Sequence, residues 1–396
     1  MNKAIEIKPG VHWIGSTDPD LRIFDDLFPT ERGTTYNSYL IQGTEKVAII
    51  DTVKTKRCGE FLEKVKSLID PAKVDYIIAN HTEPDHSGSI EFMLQHCPNA
   101  TVVSTQAART FLGNLIHKDF PARVVKDGET LDLGGRTLRF IIAPYLHWPD
   151  TMFTLLEQDE ILFTCDAFGA HYCGNSIYND EVQDYSKDMH FYFDCLIRPF
   201  KDKVLSALNK IENEKIAMIC PSHGPIIRKD PARYVGFYQE WARPVAGPKK
   251  VVIFYLSPHG NTEMMAKAVA KGASQEGLEV DCHHIIQLSA NEIRDHLEEA
   301  DALIFGTPTI NRDIPKPMWD VLSYLSTVKL KGNIGGAFGS YGWSGEACKM
   351  VEERLKSLNF KLPAPFVRSP FTPRAEVLLQ CEALGRAIAD EILTTA

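Results

Sequence analysis

Two prolines and a glycine lie within Arg243-Pro244-Val245-Ala246-Gly247-Pro248-Lys249-Lys250, between a helical stretch (Tyr234–Trp241) and the apolar run Val251–Leu256. Proline cannot continue a helix and holds its predecessor extended, and basic neighbours keep such a segment in water. The segment therefore reads as a connection between two folding units. At 396 residues the chain exceeds what one hydrophobic core ordinarily spans. Two domains are expected, 1–246 and 247–396.

After the seam, strand and helix patterns alternate regularly. Strands are expected at Val251–Leu256, Leu278–Cys282, Ala302–Gly306, Ile334–Phe338 and Pro363–Val367. Helices are expected at Thr262–Glu276, Ala290–Ala300, Pro317–Leu325, Glu346–Leu358 and Arg374–Ile392. Five strands separated by helices imply a doubly wound α/β domain with a parallel sheet, whose ligands lie beyond the carboxyl ends of the strands. Before the seam the pattern is mixed. Strand-like runs (Ser38–Ile41, Val47–Asp51, Val74–Ala79, Thr101–Ser104, Leu138–Ala143) are interspersed with amphipathic helices such as Phe61–Ile69. Thr151–Glu157 and Ile161–Cys165 flank a hairpin turn at Gln158-Asp159-Glu160. Hairpins with interspersed helices suggest an α+β unit of two sheets covered by helices.

The run Val74–Asn80 leads directly into His81-Thr82-Glu83-Pro84-Asp85-His86, four metal-binding side chains in six positions. Pro84 is expected to hold this segment in a loop, where several side chains can turn toward one point. Alone, the segment reads equally well as a polar turn preceding a helix. Three later positions weigh against that: His147 in Leu146-His147-Trp148-Pro149-Asp150, Asp166 in Phe163-Thr164-Cys165-Asp166, and His223 in Cys220-Pro221-Ser222-His223-Gly224. Each puts a ligand-type residue just past a strand. Trp148 is read as packing.

H-x-E-x-D-H followed by separate His, Asp and His residues resembles the metallo-β-lactamase superfamily, specifically its flavodiiron branch. The hydrolases of that superfamily begin H-x-H-x-D-H; here Glu83 stands at the second ligand position. The resemblance implies an αββα sandwich in which one metal takes His81, Glu83 and His147, the other takes Asp85, His86 and His223, and Asp166 bridges. His86 is the least secure of these ligands. Extra carboxylate oxygens favour a harder, redox-active ion such as iron, whereas zinc has no redox chemistry. His171 and Tyr192 resemble the family's pocket residues, which give a proton or hydrogen bond to a bound diatomic.

In the second domain, Val251–Leu256 runs into Ser257-Pro258-His259-Gly260-Asn261-Thr262, followed by a helix. This is neither a Walker loop nor G-x-G-x-x-G. Hydroxyls and backbone N–H groups at a helix N-terminus can hold a phosphate without lysine, and the run resembles the flavodoxin loop for the FMN phosphate. Two further strand ends carry Pro308-Thr309-Ile310-Asn311 and Ser340-Tyr341-Gly342-Trp343-Ser344-Gly345. Glycines there admit a flat ring, and Tyr341 or Trp343 can pack against it.

The resemblance, which spans both domains in order, implies an oxidoreductase carrying FMN and two iron ions. It would reduce dioxygen to water, nitric oxide to nitrous oxide, or both. No pair among the nine cysteines is spaced C-x-x-C, so no rubredoxin-type centre is expected within the chain and the electron donor must be external, rubredoxin first. The resemblance also implies a head-to-tail homodimer, or a dimer of dimers, that brings one protomer's FMN to its partner's irons. The rival reading is a dinuclear zinc hydrolase with a regulatory flavodoxin-like domain. A net charge of −9 argues against nucleic acid. With no apolar run near the ~20 residues of a bilayer span and no signal-peptide pattern at Met1–Lys8, the chain is expected to be cytoplasmic.

Overall fold

The computed structural model describes residues 3–394. The chain divides between Arg243 and Pro244, three residues before the expected boundary.

The first unit contains two sheets. The seven-stranded one runs, in spatial and chain order, β1 (Ile5–Lys8), β2 (Val11–Trp13), β3 (Tyr39–Gln42), β4 (Val47–Ile50), β5 (Tyr76–Ala79), β6 (Thr101–Ser104) and β7 (Ala122–Val124). Pairing is antiparallel from β1 to β4 and parallel from β4 to β7. The five-stranded one runs β8 (Thr130–Asp132), β9 (Thr137–Ile142), β10 (Met152–Leu156), β11 (Ile161–Cys165) and β12 (Met218–Pro221). Only β11 and β12 are parallel there.

The period-2 alternation of strand side chains decides what each face meets. Ala48, Ile50 and Ile78 from one sheet share a core with Phe140, Leu156 and Phe163 from the other. On the opposite face, Ile49, Ile77 and Val102 pack under α1 (Cys58–Leu68), α3 (Ile90–His96) and α4 (Gln106–Ile116). Phe153, Leu155 and Leu162 likewise pack under α5 (Ser186–Tyr192), α6 (Lys201–Ile211) and α7 (Pro231–Trp241). The unit is an αββα sandwich.

Where a loop was expected at 81–86, Pro84–Ser87 forms a single helical turn, α2, with Pro84 at its first position. Proline is tolerated there because its missing N–H would have no intrahelical partner. Two ribbons, Ser16–Asp18 with Thr34–Tyr36 and Ile23–Phe24 with Phe28–Pro29, fill the interval between β2 and β3.

The second unit is a five-stranded parallel sheet of β13 (Lys249–Tyr255), β14 (Leu278–His284), β15 (Ala302–Gly306), β16 (Ile334–Tyr341) and β17 (Val367–Pro370), in the order β14-β13-β15-β16-β17. On one face lie α8 (Asn261–Ala273) and α12 (Ala375–Thr394). On the other lie α9 (Ala290–Glu299), α10 (Lys316–Tyr324) and α11 (Ala347–Ser357). This is the flavodoxin order, with its switch point beside β13.

Two expectations are corrected here. The last strand is Val367–Pro370, not Pro363–Val367, because Pro363 and Pro365 lack the N–H groups a ladder needs. The fourth strand runs on to Tyr341, since Phe338–Tyr341 pair with that later strand, so Ser340 and Tyr341 are strand residues rather than loop residues. All nine cysteines are free thiols. Among the described residues no helix is long and apolar enough to cross a membrane.

Helices α8 and α12 approach closely enough that a Cβ on Gly385 would lie 2.1 Å from the Val269 carbonyl oxygen. Gly385→Ala should therefore push the helices apart and cost about 2 kcal/mol, read as a lower urea midpoint.

Candidate metal centre and flavin cleft

All seven candidate ligands converge in the first unit, at the ends of β5, β11 and β12 and on the segment between β9 and β10. After β5, His81 and Glu83 precede α2, and Asp85 and His86 are consecutive on its one turn. The turn is pinned from β4's end: Thr52 N and Oγ1 both donate to the His86 carbonyl, each at 2.7 Å. Asp166 follows a register shift between Phe163 and Cys165 in the β11–β12 ladder, with Cys165 at φ 49°. A bulge of this kind re-aims the next side chain, and Asp166 turns inward, 1% exposed. His223 is followed by Gly224 at φ +77°, where a Cβ would meet the Ala170 carbonyl oxygen at 2.7 Å. Only glycine fits that turn.

Two clusters result. His81, Glu83, His147 and Asp166 offer ligand atoms within 4.8 Å of one another, as do Asp85, His86 and His223. Asp166 joins them through different oxygens. Its Oδ2 lies 3.5 Å from His81 Nε2 and 3.6 Å from His147 Nε2, and its Oδ1 lies 3.1 Å from His86 Nε2 and 3.6 Å from His223 Nε2. Glu83 Oε2 is 2.9 Å from His147 Nε2, and Asp85 Oδ2 is 3.1 Å from His223 Nε2.

Burial opposes ionisation of Asp85 and Asp166, yet the surrounding imidazoles, His86 foremost, hold both carboxyls below their ordinary range. Against its own burial, His86 is pushed up to about 9 by Asp85 and Asp166. The pocket's field thus demands positive charge at its centre. His81 Nε2, both oxygens of Asp85, both ring nitrogens of His86 and Asp166 Oδ2 are buried without a hydrogen-bond partner. So many orphaned polar atoms are very costly unless a cation collects them, and imidazole with carboxylate suits iron. The residues fit a dinuclear metal centre.

Both expected pocket residues stand against this centre. Tyr192 donates its hydroxyl to Asp166 Oδ1 at 2.8 Å, and burial with that carboxylate alongside keeps the phenol protonated, well above its ordinary value. His171 packs on Tyr192 and His223, at ring distances of 4.8 and 5.5 Å. Burial, then His223, lowers its imidazole well below the ordinary value, so the ring is neutral. Its Nδ1 is 3.1 Å from Thr34 Oγ1, and its buried Nε2 has no partner. His171 also lines a cavity of about 240 Å³ with Pro29, Thr30, Glu31 and Phe191.

In the second unit a cleft of about 360 Å³ lies at the carboxyl ends of the strands. Of the expected residues, Ser257, His259, Asn261, Thr262, Pro308, Thr309, Ile310, Asn311, Ser340, Tyr341, Gly342 and Trp343 line it. Gly260 and Gly345 do not. Gly260 supplies the positive φ (79°) that caps α8, and Gly345 lies against the Tyr341 ring. Ser257 Oγ accepts from Glu263 N at 3.0 Å, and Thr262 and Ser340 hydroxyls meet at 2.9 Å. The loop is thus folded around the amino end of α8, with hydroxyls and N–H groups suited to a phosphate. Trp343 is 75% exposed and Phe371 66%, two large aromatic faces in the cleft wall that suit a flat aromatic ring.

Comparison with known proteins agrees with both halves. Residues 34–224 match the model for the ODP family beta lactamase, and residues 253–383 match flavodoxin. The chain is 37% identical over 399 residues to flavo-diiron protein FprA2 of Clostridium acetobutylicum, covering 98% of this chain and all of that one. It is 38% identical over 401 residues to a nitric oxide reductase of Moorella thermoacetica, covering 99% and 100%. Its structure matches rubredoxin oxygen:oxidoreductase of Desulfovibrio gigas at 32% identity and a TM-score of 0.72, over 99% of each chain.

The chain belongs to the flavodiiron protein family. Flavodiiron proteins are oxidoreductases with FMN in the flavodoxin domain and a di-iron centre in the lactamase-like one.

Several residues around the flavodiiron centre escaped the sequence reading. Asp150 accepts from Thr82 N and Oγ1, at 2.8 and 2.7 Å, and lies 3.2 Å from His81 Nδ1, fixing that ring's tautomer and aim. The Thr35 carbonyl oxygen does the same for His223 Nδ1 at 2.6 Å. Asp51, pushed up to about 7 by burial, accepts from Asn80 N and Nδ2 directly before His81. Trp148, read as packing, meets the His81 ring edge-on at 5.1 Å. Phe371 could have been found from its place beyond the last strand, had that strand been placed correctly.

Asp150→Ala should weaken metal retention roughly 10- to 100-fold, with Asp150→Asn intermediate. Iron content after a chelator challenge measures this, and unchanged FMN content excludes general unfolding.

Proposed function

We propose that this flavodiiron protein reduces dioxygen to water, nitric oxide to nitrous oxide, or both, in the cytoplasm. Electrons come from an external carrier, most plausibly rubredoxin. One iron is held by His81, Glu83 and His147 and the other by Asp85, His86 and His223. The observation that carries this reading is Asp166, whose two oxygens face two separate sets of ligands. The relatives named for nitric oxide reduction and for rubredoxin-linked oxygen reduction support the same chemistry. When bound, FMN supplies stepwise electron delivery, and the irons supply Lewis acidity and electrons to the gas.

The remaining work falls to the chain's own residues. Tyr192 donates its hydroxyl to Asp166 and so positions that carboxylate between the two sets of residues that would hold the irons. His171 meets the Thr34 hydroxyl through Nδ1, and its neutral ring keeps the buried, unpartnered Nε2 for a diatomic in the pocket. The cavity beside His171 gives a small gas an approach to that ring. On the Glu83 side, an open cavity of about 450 Å³ lined by Asp25, Lys54, Lys56 and Pro84 gives a second approach. Protomers pair head to tail, so that one chain's FMN serves its partner's metals.

Glu83→Ala should lose metal and gas reduction while keeping FMN; full reductase activity in that variant would remove the ligand assignment. Elemental analysis of native protein should find two irons per chain, and zinc without iron would favour a hydrolase instead. Oxygen- and nitric-oxide-electrode assays on that protein then rank the two gases.

Stopped-flow mixing with reduced rubredoxin should bleach the FMN absorbance rapidly, and an unchanged spectrum rejects that donor. Turnover per chain that survives high dilution undiminished would rule out the pairing.

A further inference from the structure

A second group of metal-binding side chains lies in the flavodoxin-like domain. Edge strand β14 alternates faces, so Glu279, Asp281 and His283 point to one side, under α9. Their partners on β13 are Lys250, Val252 and Phe254, of which Val252 and Phe254 belong to the core packed under α9, α10 and α11. From α9, His296 meets His283 ring to ring at a centroid distance of 4.1 Å and 30° between planes. Phe254 closes the inner side, 6.1 and 6.5 Å from the two rings.

Three features of this group ask for a cation. Asp281, His283 and His296 each offer a ligand atom within 4.8 Å of the others. Tetrahedral zinc needs about 3.3 Å between such atoms, so the two stacked rings turn about their Cβ–Cγ bonds to bring their nitrogens onto one ion. His283 Nε2 and His296 Nδ1 are both buried without a hydrogen-bond partner, so each imidazole has a nitrogen with nothing to do. The charge count is also one-sided. Lys250 Nζ is the cation serving three carboxylates: Glu299 at 2.9 Å, Asp281 at 3.3 Å and Glu279 at 3.6 Å. Burial, with His296 and Lys250 nearby, lowers the His283 imidazole, which keeps it in the neutral form a metal requires.

We infer that Asp281, His283 and His296 form a mononuclear site for a borderline divalent transition ion, such as zinc(II) or cobalt(II), that fastens edge strand β14 to helix α9. Two imidazoles and one carboxylate with an open fourth position make a donor set of the zinc and cobalt class, unlike the oxygen-only sets of magnesium or calcium. The strand supplies Asp281 and His283 from one face at i and i+2, and the helix supplies His296. Neither the flavin cleft nor the dinuclear centre uses any of these residues. His284, next along β14, lies on the opposite face, where its Nε2 is 3.5 Å from Ser257 N.

Holoprotein loaded with FMN and iron is titrated anaerobically with cobalt(II) chloride, following the d–d absorption to the red of the flavin bands. Iron and cobalt are counted after dialysis. The expected result is one cobalt per chain with iron unchanged, lost in His296→Gln and in His283→Gln, and bound at least tenfold more weakly in Asp281→Asn. FMN content and far-ultraviolet circular dichroism confirm that each variant is folded, and either histidine variant suffices if the other is not. No cobalt uptake, uptake matched by iron loss, or uptake unchanged in the folded variants overturns the site. None of those outcomes bears on the iron ligands.

Discussion

The first unit is organised around a carboxylate taken out of water. Asp166 is 1% exposed, and each of its oxygens faces a different pair of imidazoles. A buried anion persists only where opposite charge and hydrogen-bond donors compensate for its lost hydration. Here the compensation comes from four histidines on three separate parts of the chain, together with the Tyr192 hydroxyl. Those histidines meet only if β5, β11, β12 and the segment before β10 keep their register. The bulge at Phe163/Cys165 and the left-handed Cys165 are local strains of the kind kept where a side chain must be aimed.

The same logic explains which ligands are held firmly. His81 is tied by Asp150 and His223 by the Thr35 carbonyl oxygen, so each presents one fixed nitrogen to the centre. His147 has Glu83 beside it. Both ring nitrogens of His86 lack a hydrogen-bond partner, and the ring is held by Asp85 and Asp166 nearby and by packing on the His81 and His223 rings. With no hydrogen bond to fix its tautomer, His86 is held less firmly than His81 or His223.

Much of this was legible in the chain because ligand chemistry is dense and strand ends are marked. His81, Glu83, Asp85 and His86 stand within six positions, and His147, Asp166 and His223 each follow a strong apolar run. The flavin loops were legible for a related reason: a parallel sheet puts its functional turns after its strands, and strands alternating with helices are easy to locate. What was not legible depended on partners remote in sequence. Asp150 is an unremarkable acid until the fold sets it against His81, 69 residues earlier. Phe371 was missed because two prolines displaced the last strand from its apparent place to Val367–Pro370. The ribbons between β2 and β3 are only two or three residues per strand, too short to leave any periodic signal.

Those ribbons carry the part of the pocket that the ligands leave open. Seven carboxylates and imidazoles make up the candidate metal centre. The walls are set by other groups. Phe24 lies 4.2 Å from the His171 ring and 5.3 Å from His223, with Lys54 Nζ 4.6 Å from its ring centre. Pro29, Thr30 and Glu31, from the same ribbon and its exit, line the cavity with His171. An apolar ring lies against a neutral imidazole there, and wall groups of this kind let a site separate one small ligand from another. Segment 23–31, of low pattern content, and His171 thus form part of the pocket wall, whereas four of the seven candidate ligands come from the dense motif at 81–86. Wall and ligand set can vary independently in sequence, because the ribbon contributes none of the seven proposed ligands.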